Sequence, residues 1–126
     1  MVSPAPAPPQ ITIVEDDRSL LGALKFALEA DGYRVSAYNE ARRLLDAPPP
    51  ADCLVVDLKL PDLDGLALIA RLRDVGVTAP AILITTRPDE RCRKTAAAAG
   101  VAIVEKPLLD GTLRQAIEAA VRHSRS

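Results

Sequence analysis

Five short runs of mostly apolar residues recur along the chain, separated by segments of mixed polarity. Four of them, Ile11–Val14, Cys53–Val56, Ala81–Thr85 and Val101–Val104, show no regular alternation of apolar and polar residues. This pattern is typical of strands that are covered on both faces of a parallel sheet. Arg34–Tyr38 is a weaker fifth candidate.

The segments between these runs carry apolar residues three or four positions apart, which is the spacing of one helix face. The clearest series are Leu20, Leu24 and Leu28 in the first segment, Leu68 and Leu72 in the third, and Leu113, Ile117 and Val121 in the last. Each strand candidate is therefore followed by a helix candidate.

Helix boundaries are marked by residues with a backbone reason to stand there. Asp31-Gly32, Pro48–Pro50 and Gly100 are predicted to end the first, second and fourth helices. Asp64 and Asp110 are predicted N-caps of the third and fifth helices. Five strand-helix units with short connections predict an α/β fold, a five-stranded parallel sheet with helices on both faces.

The chain of 126 residues has the size of one domain. We expect a Pro-rich flexible leader at 1–10, a domain at 11–122 and a short tail at 123–126. Only 2% of the residues are aromatic, so aliphatic side chains must fill the core. Cys53 and Cys92 lack metal-ligand spacing and are expected to be reduced thiols.

The charge balance and the apolar runs exclude some function classes. Sixteen basic and 17 acidic residues give a net charge of −1, which provides no overall attraction to nucleic acid or an anionic membrane. No apolar run reaches the length of about 18 residues that favours a membrane helix, and the leader lacks the parts of a signal peptide. We therefore expect a cytoplasmic protein that binds neither nucleic acid nor membrane.

Acidic side chains follow two of the predicted strands. Glu15, Asp16 and Asp17 come directly after the first strand, and Asp57 comes after the third. Parallel strands bring these positions to one edge of the sheet, where the carboxylates repel each other unless a hard cation such as Mg²⁺ neutralises them. Taken alone, Asp16 or Asp17 could simply cap the first helix.

The fourth and fifth strands end in Thr85-Thr86 and Lys106-Pro107. A hydroxyl and an ammonium group at this edge are suited to binding a phosphoryl group. Each residue alone would more commonly be a solvated surface residue. The coincidence at four strand ends is what indicates a site.

Four motifs, IVEDD, VVDLKLPDLDG, ILITT and IVEKP, match the signature blocks of one family in order and spacing. The chain resembles the receiver domains of two-component response regulators, of the single-domain chemotaxis-regulator and nitrogen-fixation-regulator type. The resemblance extends from Ile11 to about Val121. It implies a flavodoxin-like fold and a phosphorylation switch in place of a classical enzyme.

The resemblance implies a role for each matched residue. Asp57 would be the phosphoacceptor and Asp16 the main carboxylate ligand of Mg²⁺ or Mn²⁺. Glu15 would contribute through water, Asp57 itself would be a ligand, and the backbone carbonyl of Lys59 would complete the metal site.

The resemblance also assigns the phosphate-binding and switch positions. Thr85, with Thr86 beside it, would provide the switch hydroxyl, Lys106 would pair with the phosphoryl group, and Pro107 would follow a cis peptide bond. Two residues depart from the family pattern. Thr86 is bulkier than the usual alanine or glycine, and Ile103 occupies the position of a switch aromatic.

The partners implied are a sensor histidine kinase as phosphoryl donor and a phosphotransfer or output protein as reader. We expect a stand-alone receiver that takes part in its own phosphotransfer and dephosphorylation. A homodimer through the fourth helix, fifth strand and fifth helix is a further expectation. The charges available for that contact are Arg91, Arg93, Lys94, Glu105 and Glu118.

Three rival functions fit the fold class. A hydrolase of the haloacid dehalogenase type would carry a second acid two positions after Asp57, where Lys59 stands. A nucleotide-binding module would have a glycine-rich loop after the first strand, where Glu15, Asp16 and Asp17 stand. Direct DNA binding would require a helix-turn-helix, and the five strand-helix units leave no segment for one.

Overall fold

The computed structural model describes residues 7–108 and 111–125, and in these residues five strands alternate with five helices. In chain order they are β1 (Gln10–Val14), α1 (Arg18–Ala30), β2 (Arg34–Tyr38), α2 (Ala41–Asp46), β3 (Cys53–Asp57), α3 (Gly65–Asp74), β4 (Ala81–Thr85), α4 (Glu90–Ala98), β5 (Ala102–Glu105) and α5 (Thr112–Arg125). All strand pairs are parallel, in the order β2-β1-β3-β4-β5. The predicted fold class is confirmed.

The sheet separates two hydrophobic clusters. Val56 and Leu83 pack on the side of α2, α3 and α4, whereas Val55 packs on the other side with Leu28 of α1 and Ile117 of α5. Successive residues of a strand point to opposite faces, so both faces of β3 are buried. This explains why the central strands have continuous apolar sequences.

Strand boundaries differ from the predicted ones by single residues. β1 begins at Gln10, and β3 continues through Asp57, which pairs with Ile84. The prediction for β5 was wrong by one residue, because Val101 lies in the turn that ends α4 and the strand begins at Ala102. The Val101 N–H donates to the Ala96 carbonyl over 2.8 Å, and Gly100 before it has a φ of 69°, as in a Schellman motif.

Three helices begin with an aspartate cap. Asp17 accepts from Leu20 N at the start of α1, and Asp89 accepts from Cys92 N at the start of α4. The predicted cap of α3 is confirmed, since Asp64 accepts from the N–H groups of Leu66 and Ala67. The predicted cap Asp110 lies outside the described residues. Helix α5 extends to Arg125, through residues expected to form a tail.

The two cysteines are free and buried. Burial raises the pKa of the Cys53 thiol to about 12, and it also raises the pKa of Cys92. Both side chains belong to the hydrophobic clusters. They serve as core residues.

Candidate functional site

The acidic residues meet where the strand order reverses. β1 and β3 are neighbours in the sheet, but α1 and α3 leave them towards opposite faces, which opens a crevice at their carboxyl ends. Glu15, Asp16 and Asp57 each place one carboxylate oxygen there, all within 4.8 Å of one another. Glu15 is 0% exposed and Asp57 5% exposed, whereas Asp16 faces solvent.

The ammonium group of Lys106 reaches into this acidic cluster. Its Nζ lies 2.8 Å from Glu15 Oε1 and 3.3 Å from Asp57 Oδ2. The backbone aligns it, because the Lys106 N–H donates to the Thr85 carbonyl over 2.8 Å at the end of β4. The peptide bond between Lys106 and Pro107 is cis.

One lysine does not balance three carboxylates. Burial raises the pKa of Glu15, and the proximity of Asp57 raises it further, against partial offsets from Lys106 and the Asp17 N–H. Burial alone would lower the pKa of Lys106, but Glu15 and Asp57 outweigh it and raise that pKa. The cluster is therefore short of positive charge.

The donor set fits a hard divalent cation. Glu15 Oε1 is at ion-pair distance from Lys106, yet it is a buried oxygen that accepts no hydrogen bond from the described residues. Mg²⁺ binds through one or two carboxylates and keeps several waters, and the exposed Asp16 leaves that side open. Asp16 and Asp57 are suited as direct ligands, with Glu15 behind a water.

The loop between β3 and α3 packs closely against the backbone at Asp57. The Gly65 N–H donates to the Leu58 carbonyl over 2.8 Å, and Lys59 forms an antiparallel bridge with Asp64. A Cβ on Gly65 would overlap the Asp57 carbonyl oxygen and lie 2.9 Å from Leu58 Cα. Only glycine allows the start of α3 to pack this closely against the end of β3.

A second contact of this loop was not predicted from the sequence. Asp62 accepts hydrogen bonds from the N–H groups of Ala41, at 3.1 Å, and Arg42, at 2.8 Å. These are the first residues of α2, whose N-cap residue Glu40 makes no side-chain cap. The motif containing Asp62 was identified, but nothing in the sequence indicates a contact to α2.

The three predicted switch positions lie in different environments. Thr85 is the last residue of β4 and is 3% exposed. Thr86 is exposed and lines a groove with Lys106 and Pro107 on the side of α1. Ile103 is half-buried and packs on the cluster that includes α2, α3 and α4.

Cationic side chains also line a groove next to the β3–α3 loop. Lys59 and Arg87 line a groove of about 500 Å³ between the β3–α3 loop and α4. Further along α4, Arg93 forms a 2.7 Å ion pair with Glu105. Two charges expected to form a contact between protomers are thus paired within one chain.

Sequence comparison places this arrangement in a known family. A sequence model of the response regulator receiver domain matches residues 11–118. The chain belongs to the response regulator receiver family. The predicted resemblance is thereby confirmed, and the match favours it over the hydrolase and nucleotide-binding alternatives.

Individual relatives agree with this assignment. The transcriptional regulatory protein FixJ of Bradyrhizobium diazoefficiens is 32% identical over 117 residues, which cover 90% of this receiver and 57% of FixJ. The crystal structure of the signal receiver domain of an HD domain-containing protein from Pseudomonas fluorescens Pf-5 matches with a TM-score of 0.87 and 26% identity, covering 98% of this chain and 94% of that one. A CheY-like receiver from Methanospirillum hungatei JF-1 matches with a TM-score of 0.85 at 24% identity, covering 94% and 97%, and shows the fold alone.

This receiver spans little more than half the length of the FixJ proteins that it matches. The regulation of transcription in their names is a property of those proteins. What the family match establishes for this chain is a receiver domain of a two-component system.

Proposed function

We propose that this receiver accepts a phosphoryl group on Asp57 from the phosphohistidine of a sensor histidine kinase, in a reaction that requires Mg²⁺ or Mn²⁺. The observation that carries the proposal is the convergence of Glu15, Asp16 and Asp57 within 4.8 Å, with Lys106 Nζ 3.3 Å from the Asp57 carboxylate. Three carboxylates, two of them buried, share a single lysine, and this shortage of positive charge suits phosphoryl transfer better than structural pairing.

The transfer is an exchange of bonds at phosphorus. An Asp57 carboxylate oxygen attacks, the new P–O bond forms while the P–N bond of the phosphohistidine breaks, and the imidazole leaves. Lys106 lies close enough to Asp57 to pair with a phosphoryl oxygen. Asp57 itself is 5% exposed, so its carboxylate is held in a fixed place at the end of β3.

The metal would be held by Asp16 and Asp57, with Glu15 acting through water and the Lys59 backbone carbonyl as a further ligand. When bound, Mg²⁺ supplies the positive charge that phosphoryl oxygens need at this edge of the sheet. Lys59 already lies near the acceptor, since its N–H is 3.4 Å from Asp57 Oδ1.

Phosphorylation would shift the receiver between two conformations that a partner distinguishes. Thr85 lies at the end of the strand beside β3, so its hydroxyl is suited to follow the phosphoryl group. Ile103, in place of an aromatic side chain, would respond by repacking against its cluster. Thr86 and Lys106 line the same groove beside α1.

The reader of this signal would be a phosphotransfer or output protein, met in the cytoplasm. In the described part of the chain, no helix is long and apolar enough to cross a membrane. A homodimer through α4, β5 and α5 stays a prediction. The Arg93–Glu105 pair within the chain leaves fewer charges for that contact.

The decisive test replaces Asp57 by asparagine, which keeps the shape and removes the nucleophilic charge. The wild type, incubated with acetyl phosphate and Mg²⁺ or with a phosphorylated kinase, should gain one phosphoryl group by intact mass. Asp57→Asn and chelation of the metal should each abolish the gain. Asp74→Asn, an exposed aspartate in the last turn of α3, is the matched control and should label normally. Equal labelling of Asp57→Asn would refute the assignment.

A further inference from the structure

Helix α2 begins with a cap that comes from another part of the chain. Both oxygens of Asp62 are used, Oδ1 by the Ala41 N–H and Oδ2 by the Arg42 N–H. Glu40 makes no such contact, so the first turn of α2 depends on a residue of the β3–α3 loop. Two simultaneous bonds to one carboxylate fix its orientation as well as its position.

The same loop follows directly after Asp57 and includes Lys59, whose N–H is 3.4 Å from Asp57 Oδ1. Its base is closed by the Gly65 N–H to Leu58 carbonyl bond and by the bridge between Lys59 and Asp64. Its tip carries Leu60 and Leu63, which are half-buried against the cluster of α2, α3 and α4. Hydrophobic contacts are non-directional, so these leucines fix the depth of the tip and leave its direction open.

Asp62 supplies the missing directional restraint. Although burial acts to raise it, the pKa of Asp62 is lowered by the backbone N–H groups of Arg42 and Ala41. These bonds therefore favour the ionised carboxylate. The two hydrogen bonds that Asp62 accepts from Ala41 and Arg42, here called the clamp, join the tip of the loop to α2. The base of the loop adjoins Asp57.

We infer that Asp62 is a positioning residue for the phosphoacceptor site, holding the Lys59 carbonyl and the Asp57 carboxylate in the arrangement that binds Mg²⁺. This inference rests on the proposed metal-dependent function. Asp62 acts at a distance from the metal, through the loop.

The test is a titration with Mg²⁺ alone, followed by the amide NMR signals of Asp57 and Lys59. Asp62→Ala removes both acceptor oxygens and should weaken Mg²⁺ binding by about fivefold or more. Asp62→Asn removes the charge but keeps one acceptor oxygen. Its Mg²⁺ affinity should therefore lie between that of the wild type and that of Asp62→Ala. Asp46→Asn, at the other end of α2, removes the same charge without touching the loop. It should stay within about twofold of the wild type.

The outcomes separate this inference from the proposed function. A wild type that binds no Mg²⁺ overturns both. A wild type that binds Mg²⁺, together with an Asp62→Ala variant of equal affinity, overturns the inference alone. Equal losses in Asp62→Asn and Asp62→Ala, or an equal loss in Asp46→Asn, would assign the effect to charge and also overturn it. Circular dichroism and urea unfolding check that each variant is folded. If Asp62→Ala does not fold, Asp62→Asn is measured in its place, and wild-type Mg²⁺ affinity in that variant overturns the inference.

Discussion

At the two ends of the central sheet, acidic side chains meet opposite surroundings. At the amino end, Asp52 Oδ2 accepts from the Gln10 N–H over 2.8 Å and lies 3.3 Å from the Arg125 guanidinium. At the carboxyl end, Glu15 is fully buried and shares Lys106 with Asp57.

The difference shows what each end is for. The carboxylate at the amino end has its partners within the fold, and it ties the first strand to the last helix. The carboxylates at the carboxyl end outnumber the available cation, and one buried oxygen accepts no hydrogen bond from the described residues. Uncompensated charge lowers stability in the free protein, and in the function proposed above it would be the feature that attracts a cation to the site.

The largest expected effect comes from breaking the carboxyl end at Gly65. In Gly65→Ala the new Cβ would overlap the Asp57 carbonyl oxygen, and a backbone atom cannot move aside cheaply. We expect the free energy of unfolding to fall by about 1–3 kcal/mol. Because Asp57 must shift, phosphorylation by acetyl phosphate should also be lost or strongly slowed, as measured by intact mass.

Gly22→Ala is the matched control for this substitution. Gly22 lies in α1, and a Cβ there meets no atom within 4 Å. Glycine in a helix interior destabilises a protein relative to alanine, so the free energy of unfolding measured in urea should rise by about 0.5–1 kcal/mol. If Gly65→Ala kept the phosphorylation rate and the stability of the wild type, the close approach at Gly65 would not position Asp57.

The sequence was sufficient to predict most of the fold and the centre of the site. Apolar runs identified the strands because both faces of β3 and β4 are buried. Asp57, Asp16 and Lys106 were placed together because parallel strands bring their carboxyl ends to one edge. Both features follow from the order of the elements along the chain.

What the sequence did not predict depends on distances between segments. The clamp from Asp62 to α2 joins residues about 20 positions apart, and no local pattern marks it. An apolar residue at position 101 suits either the turn after α4 or the start of β5. The hydrogen bond from the Val101 N–H to the Ala96 carbonyl decides between them. The contrast between buried Glu15 and exposed Asp16 depends on how β1 ends beside β3.

Glu15→Gln would make the carboxyl end resemble the amino end by removing the uncompensated charge. Lys106 keeps Asp57 as a partner, so no buried cation is left unpaired. Without Mg²⁺, the free energy of unfolding should rise by about 1 kcal/mol, since a fully buried anion disappears. Mg²⁺ affinity should fall by about tenfold, because the group proposed to orient a metal-bound water would lose its charge.

Urea unfolding with and without Mg²⁺ measures both effects of Glu15→Gln. Lys25, exposed on α1, offers a control through Lys25→Gln, which should change neither quantity. A Glu15→Gln variant that is less stable without the metal would show that the buried carboxylate is already compensated in the free protein.

The smallest effect is expected at the amino end, where Asp52 is paired. Asp52→Ala removes the acceptor of the Gln10 N–H and the partner of Arg125, so the free energy of unfolding should fall by about 1 kcal/mol. Arg125→Ala removes only a partly exposed ion pair and should change it by less than about 0.5 kcal/mol. Neither variant should alter Mg²⁺ affinity or the rate of phosphorylation, because both residues lie at the opposite end of the strands from the Asp57 carboxylate. The Mg²⁺ affinity of Asp52→Ala is measured under conditions where the variant is folded. A loss of affinity would show that the two ends of the sheet are coupled. The division between a stabilising end and a binding end would then be wrong.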